Sequence, residues 1–320
     1  MECLSRAEFE RCGAEFDARV DADPDLDRFC SRTDWILPFH DAFHPERELV
    51  LARDGGAFVA LAAQRGALEA LESMWGFASP LVGAGALELL LALLGARERA
   101  HGRELLYLTG LAPDTARTRA LVDALQVSHS LAIASLTVRF VAELDGVDGF
   151  LARRSAKFRA SLRAAVRRVR AAGIEFAALG VRSAGAAEAA YARALAVERR
   201  SWKAAGDNGV DRGPMREFYA RMFPRLAARG ALRLLFAVRG GEDVGYLSGG
   251  LAGSAFRGLQ FSFDERLRAL GLGNVLQLEM ISRVTREGVR AYDLGAQSAY
   301  KARWGERRIA TVGLLARPRA

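Results

Sequence analysis

Between residues 257 and 287 the chain passes through an alternating segment, a glycine-bearing turn and an amphipathic segment, and this order constrains the fold more than any other feature. Residues 257–263 alternate as a strand does, and 273–287 carry apolar residues at helical spacing. A strand that turns into a helix through glycines belongs to layered α/β architecture. The rest of the chain agrees. Strand-like runs at 48–53 and 57–63 flank Asp54-Gly55-Gly56, and runs at 233–238 and 243–251 flank Gly240-Gly241, two hairpin signals. Further strands are expected at 66–73, 104–108, 130–142, 174–179, 289–294 and 309–315, with helices at 5–20, 34–44, 80–101, 113–125, 185–204 and 214–229.

A length of 320 residues suits two domains, and the punctuation Asp145-Gly146-Val147-Asp148-Gly149 puts the expected boundary there, giving 1–147 and 148–320. No run of 18 apolar residues occurs, so a membrane-spanning helix is excluded and no membrane partner is expected. The first ten residues carry acids where an export signal needs a cationic start and an apolar stretch. Three cysteines, all within the first 30 residues, do not form a disulfide framework and suit a cytoplasmic location.

The net charge of +8 has a place. Eight basic residues and no acid fall between 150 and 173: Arg153, Arg154, Lys157, Arg159, Arg163, Arg167, Arg168 and Arg170. The remaining 38 bases balance 38 acids. Phe158, Leu162, Val166 and Val169 recur at helical spacing, so one stripe of this basic helix should face a core. Arginine outnumbers lysine 43 to 3, a bias that reads as GC-rich coding and makes Lys157, Lys203 and Lys301 stand out.

The turn R-A-L-G-L-G at 268–273 opens a helix. Backbone N–H groups at such a turn point outward, the helix end adds partial positive charge, and glycine lets an anion approach the backbone. It is neither the dinucleotide fingerprint nor a P-loop, since the further glycine, the placed acid and Gly-Lys-Ser/Thr are missing. The pattern Arg268-x-x-Gly271-x-Gly273 after a strand resembles the coenzyme A pyrophosphate loop of the GNAT acyltransferases. The string D-L-G-A-Q-S-A-Y-K-A-R-W-G agrees, with Tyr300 seven residues after Asp293. Together with the basic helix, E-R-R-S-W-K at 198–203 and F-S-F-D-E at 261–265, residues 148–316 resemble the branch related to cellulose-biosynthesis acetyltransferase-like proteins and Fem-type aminoacyl transferases.

That resemblance implies an α/β (α+β) fold of tandem GNAT-like domains, each a mixed, mostly antiparallel twisted sheet flanked by helices. The first domain would be degenerate, since Pro80 stands where its Gly-rich turn needs a base. The second would bind acetyl-CoA or another acyl-CoA through the backbone at Phe261, Ser262 and Phe263 and the turn Arg268, Leu270, Gly271, Leu272, Gly273 and Asn274. Tyr300 would protonate the leaving thiolate, and Glu198 or Asp264 would serve as general base, with Asp293 a third carboxylate in range. Trp202 would wall the acceptor pocket unless it simply packs on the core, and Lys301 would bind an acceptor carboxylate or phosphate unless it is a plain surface lysine. His40 and His44 are spaced for one helix face but lack a third ligand, so no metal is expected.

The expected function is N-acyl transfer from acyl-CoA to a primary amine, on a small molecule or a peptide, by direct attack in a ternary complex. The alternatives are Fem-type transfer from aminoacyl-tRNA, long-chain acyl transfer from acyl carrier protein, and a non-catalytic binding protein that kept the fold. An acidic carrier or another anionic partner would suit the basic helix at 150–172.

Overall fold

The computed structural model describes residues 1–204 and 209–319. They form two compact units, residues 1–138 with 310–320, and residues 139–309.

The first unit contains β1 (Glu2–Leu4), α1 (Arg6–Arg11), α2 (Gly13–Ala22), α3 (Thr33–Phe43), β2 (Glu48–Asp54), β3 (Ala57–Gln64), β4 (Ala67–Ala70), β5 (Leu81–Val82), α4 (Ala86–His101), β6 (Leu105–Leu111) and α5 (Ala116–Leu125). Strand β7 (His129–Glu143) starts in this unit and ends in the second. The second unit continues with α6 (Val147–Ala152), α7 (Ala156–Ala171), β8 (Ile174–Leu179), α8 (Ala184–Glu198), α9 (Gly213–Ala228), β9 (Leu232–Arg239), β10 (Glu242–Ala252), β11 (Ala255–Phe263), α10 (Leu272–Arg286) and β12 (Ala291–Ala296). Strand β13 (Arg307–Pro318) starts in the second unit and ends in the first.

Each unit uses the same plan. In the first, β2, β3 and β4 form an antiparallel meander, α4 crosses over, and β6 returns parallel to β4. In the second, β9, β10 and β11 form the meander, α10 crosses over, and β12 returns parallel to β11. The strand beside the returning one comes from the far end of the chain in the first unit and from the unit's own first residues in the second. Val312–Ala316 of β13 pair with β6, while Arg139–Glu143 of β7 pair with β12. The sheets are therefore mixed and mostly antiparallel, as expected. The first unit's turn at Gly83 is filled by its own backbone, since a Cβ there would stand 2.2 Å from the Gly56 carbonyl oxygen.

Local chemistry sets the elements of the second unit. Ser155 caps α7 and Ser183 caps α8, each accepting from the N–H three residues on. On α7, Leu162, Ala165 and Val169 are buried in the unit's core with Phe158 and Val166 packed beside them, so the apolar stripe faces inward as its spacing requires. Arg163, Arg167, Arg168 and Arg170 stay exposed. Arg153 and Arg154 instead pair with Glu306, and Arg153 also with Asp145. Trp304 is fully buried, stacked on Phe150 and edge-on to Phe158. Among the described residues no helix is long and apolar enough to cross a membrane.

Candidate active site

The pairing of β11 with β12 stops early. It runs Ala255↔Ala291, Phe256↔Tyr292 and Arg257↔Asp293, and no further. On the other side of β11 the register against β10 slips between Ser248 and Gly249, which leaves Leu259 as an extra residue between the partners Gly258 and Gln260. Such a bulge bends and twists its strand. It falls two residues after the last pair with β12, so it turns β11 away from its parallel neighbour there.

The gap holds a cleft of about 220 Å³ lined by residues that include Lys203, Ser248, Gln260, Gln277, Tyr292 and Lys301. Gly258 is required beside it, because a Cβ there would sit 2.7 Å from the Tyr292 ring. Tyr292 donates its hydroxyl hydrogen to Gln277 Oε1, a buried polar residue on the inner face of α10. Two of the chain's three lysines therefore line one cleft.

Lys203 enters from the turn after α8. Its ammonium donates to Gln260 Oε1 at 2.8 Å and to the Phe261 carbonyl at 2.9 Å, and lies 3.4 Å from Glu198 Oε1. Glu198 is fully buried behind it, and Tyr246 donates to its other oxygen at 3.0 Å. Burial lowers the Lys203 ammonium pKa, opposed by the Glu198 charge. Glu198, a carboxylate in range of the acceptor by sequence, thus stands behind Lys203 and outside the cleft lining.

Asp264 is occupied in a different way. It caps the six-residue 3-10 segment Glu265–Leu270 that follows β11, accepting from the Arg266 backbone at 3.0 Å and from Nε and a terminal nitrogen of the Arg266 guanidinium, which holds its carboxyl below the usual range. The geometry makes Asp264 a turn residue. Asp293 accepts from Arg257 at 2.8 Å, from Arg139 and from the Gly295 N–H, in a buried ion cluster at the end of the paired stretch.

Tyr300 packs at a tilt between Phe261, 5.7 Å away between ring centres, and Trp304, and among the described residues its buried hydroxyl has no hydrogen-bond partner. Burial pushes the phenol up, which keeps it protonated through neutral pH. Lys301 follows it, donating to the Ala296 carbonyl at 2.9 Å. Burial, with Arg257 and Lys203 nearby, pulls its ammonium down to about 8.

The turn into α10 lies at the other end of β11. Gly271 adopts the left-handed conformation at φ +75°, and no side chain caps the helix. A Cβ at Gly271 would stand 3.1 Å from Ala165 and 3.5 Å from an Arg168 terminal nitrogen, so α7 brings a guanidinium to this helix end. Arg268 is exposed and paired with Glu265 at 3.0 Å. Leu272 and Gly273 are buried as residues, and Gly271 and Asn274 are half-exposed. The rings of Phe261 and Phe263 cover Gly273, whose Cβ would meet them at about 3 Å. Trp202 lies over the same rings, 4.6 Å from Phe263. Ser262 is buried in register with Tyr246.

A free turn with an adjacent guanidinium fits a pyrophosphate. The outer edge of β11 is partly engaged: Lys203 holds the Phe261 carbonyl, and Ser201 bridges to Asp264. Sequence reasoning brought together Tyr300, Lys301, Phe261 and the Gly271 turn. It missed Tyr292, Gln277, Gln260 and the Leu259 bulge, and left Lys203 without a role, although the scarcity of lysine already marked it. His40 is a packing residue, its ring nitrogens facing the Arg47 carbonyl and Asp41. Among the described residues no cluster of three or more His, Cys, Asp or Glu is placed to hold a metal.

Comparison with known proteins agrees with this geometry. No protein of curated function matches the sequence. Residues 156–302 match the acetyltransferase (GNAT) domain family. The fold is similar to that of FemX, at 13% identity with 100% of this chain and 98% of that chain covered and a TM-score of 0.68. It is also similar to a Bacteroides thetaiotaomicron protein of unknown function, at 11% identity with 98% of each chain covered and a TM-score of 0.63. A tandem GNAT protein from the clavulanic acid biosynthesis pathway gives a TM-score of 0.51 at 17% identity, covering 99% of this chain and 97% of that one. The parted strands and the glycine turn at the head of α10 lie within residues 156–302, the stretch of this chain that matches the acetyltransferase (GNAT) domain family.

Proposed function

We propose that the second unit transfers an acyl group from acyl-CoA, most simply acetyl-CoA, to a primary amine by direct attack. The observation that carries this reading is the cleft opened where β11 leaves β12, with the uncapped turn at Gly271 at the far end of the same strand. When bound, the coenzyme supplies an acyl group activated as a thioester. Gly271, Leu272 and Asn274 with Arg168 would hold its pyrophosphate at the helix end, where anion binding is favoured by up to about 2 kcal/mol.

Within the cleft, Lys203 keeps β11 in place through the Phe261 carbonyl, and its own charge is balanced by Glu198. Tyr300 keeps its proton at neutral pH and is the residue that can deliver one to a departing thiolate. Lys301 lies in the range where an ammonium exchanges its proton near neutral pH. Phe261, Trp202 and Phe263 exclude water from the path between the turn and the cleft. Release of free thiol from acetyl-CoA, measured with and without a pool of primary amines, tests the reading. Amine-dependent release supports it, and none with any amine counts against it.

A second reading has its own support. With the Phe261 carbonyl already engaged and Arg163, Arg167, Arg168 and Arg170 exposed on α7, the donor would be an aminoacyl-tRNA whose phosphates lie along that helix. Transfer from charged tRNA in the absence of coenzyme A distinguishes the two.

A further inference from the structure

The two lysines of the cleft do different work. Lys203 has all three of its donor directions taken, by Gln260, the Phe261 carbonyl and Glu198. Lys301 donates once, to the Ala296 carbonyl, and among the described residues no carboxylate forms an ion pair with it. The carboxylate that acts on Lys301, Asp293, already accepts from Arg257 and Arg139. The neighbours that act on Lys301 besides Asp293 are themselves cations, Arg257 and Lys203.

Gly295 sharpens this arrangement. It is left-handed at φ +76°, and the point where a Cβ would stand lies 3.5 Å from Lys301 Nζ and 3.8 Å from Arg257 Nε. The Lys301 ammonium and the Arg257 guanidinium thus lie side by side next to this backbone position. Arg257 has Asp293 as its counter-charge, so the Lys301 ammonium is the one left to hold an anion, and away from water it would do so more firmly than at the surface.

We infer that the cleft selects amine acceptors that carry an anionic group, carboxylate or phosphate, close to the amine, and that Lys301 holds that group. The inference rests on the acyl-transfer reading above. A plain amine enters as a cation and meets the Lys301 ammonium at the cleft wall with no anion of its own. A zwitterionic amine brings its own counter-charge, which settles on Lys301 and leaves the amine directed into the cleft. A volume of about 220 Å³ accepts an amino-acid-sized molecule or the end of a larger one.

The test is calorimetry on the full chain with coenzyme A present. The probes are 3-aminopropanoate, 2-aminoethyl phosphate, propylamine and 1,3-diaminopropane. One charge-assisted contact is worth roughly ten- to hundredfold in affinity. At least one zwitterion should bind by that factor more tightly than propylamine, and the diamine should bind weakest. The carboxylate and phosphate arms tell which anion the site takes. Lys301→Met should erase the difference, and Lys301→Arg should retain part of it. Equal binding of the diamine and the zwitterions overturns the inference, as does a Lys301→Met loss equal for all four probes or binding by none. Thiol release from acetyl-CoA on the same panel keeps the two readings apart. Zwitterion preference without thiol release counts against acyl-CoA as donor and leaves this inference standing. Equal release with every amine does the reverse.

Discussion

The ammonium of Lys203 donates to the carbonyl of Phe261 at 2.9 Å, joining the turn after α8 to the outward edge of β11. Because Glu198 lies fully buried at 3.4 Å on the far side of that ammonium, Lys203 balances a buried charge as well as fixing the strand. Lys203→Met should therefore lower stability by about 3–5 kcal/mol, the usual consequence of stranding one member of a buried pair. Lys203→Met combined with Glu198→Gln should recover much of the loss. Urea unfolding of the single and double variants checks this, and a double variant no more stable than the single one would show that the pair is not coupled.

Tyr300→Phe should lower kcat by about a hundredfold, at the low end of what a general acid contributes because a coenzyme thiolate leaves fairly well unaided. The KM for acyl-CoA should change much less. Steady-state rates equal to the parent across pH 6–9 would assign Tyr300 to packing against Phe261 and Trp304 alone.

Lys301 gives a pH signature of known sign. Its ammonium is pulled from 10.5 to about 8 in the folded chain, so between those values the unfolded chain binds more protons and stability contributed by this group rises with pH. Lys301→Met should thus be more stable than the parent near pH 7, with the gap narrowing as pH rises from about 8 toward 10.5. Melting temperatures of both proteins at pH 7 and pH 9.5 check this, and a constant gap would contradict it.

The exposed arginines of α7 should act through their field. Charge reversal at Arg163 and Arg167 should reduce kcat/KM for an anionic donor or acceptor at low salt, with the loss shrinking as the screening length falls below roughly 8 Å. The melting temperature should move by only a few degrees, since exposed charges contribute little to stability. Equal activity at low salt would leave α7 as scaffold.

Much of this site is legible in the sequence because its parts are local. The alternation at 257–263 became β11, the glycine turn at 268–273 kept its place before α10, and the stripe on α7 chose the buried face. What depends on partners far along the chain was not legible. The Leu259 bulge exists only against β10, and no residue in F-R-G-L-Q announces it. Glu198 reads as a free carboxylate until Lys203 is seen to take it, whereas the capping role of Asp264 is local and legible from its place in the turn after the strand. The two compact units part between Val138 and Arg139, inside β7, where no glycine or proline marks the change.

The most direct measurement of the central claim is calorimetry of coenzyme A with the parent chain, Gly271→Asn and Gly271→Glu. Asparagine tolerates the left-handed conformation better than most residues, so the first variant reports the strain of any side chain, roughly 1–2 kcal/mol at most, and the second adds a carboxylate at the helix end. With all three folded by circular dichroism, the account predicts binding by the parent, retained in large part by Gly271→Asn and abolished in Gly271→Glu. Coenzyme A affinity unchanged in Gly271→Glu, or absent from the parent, would contradict it.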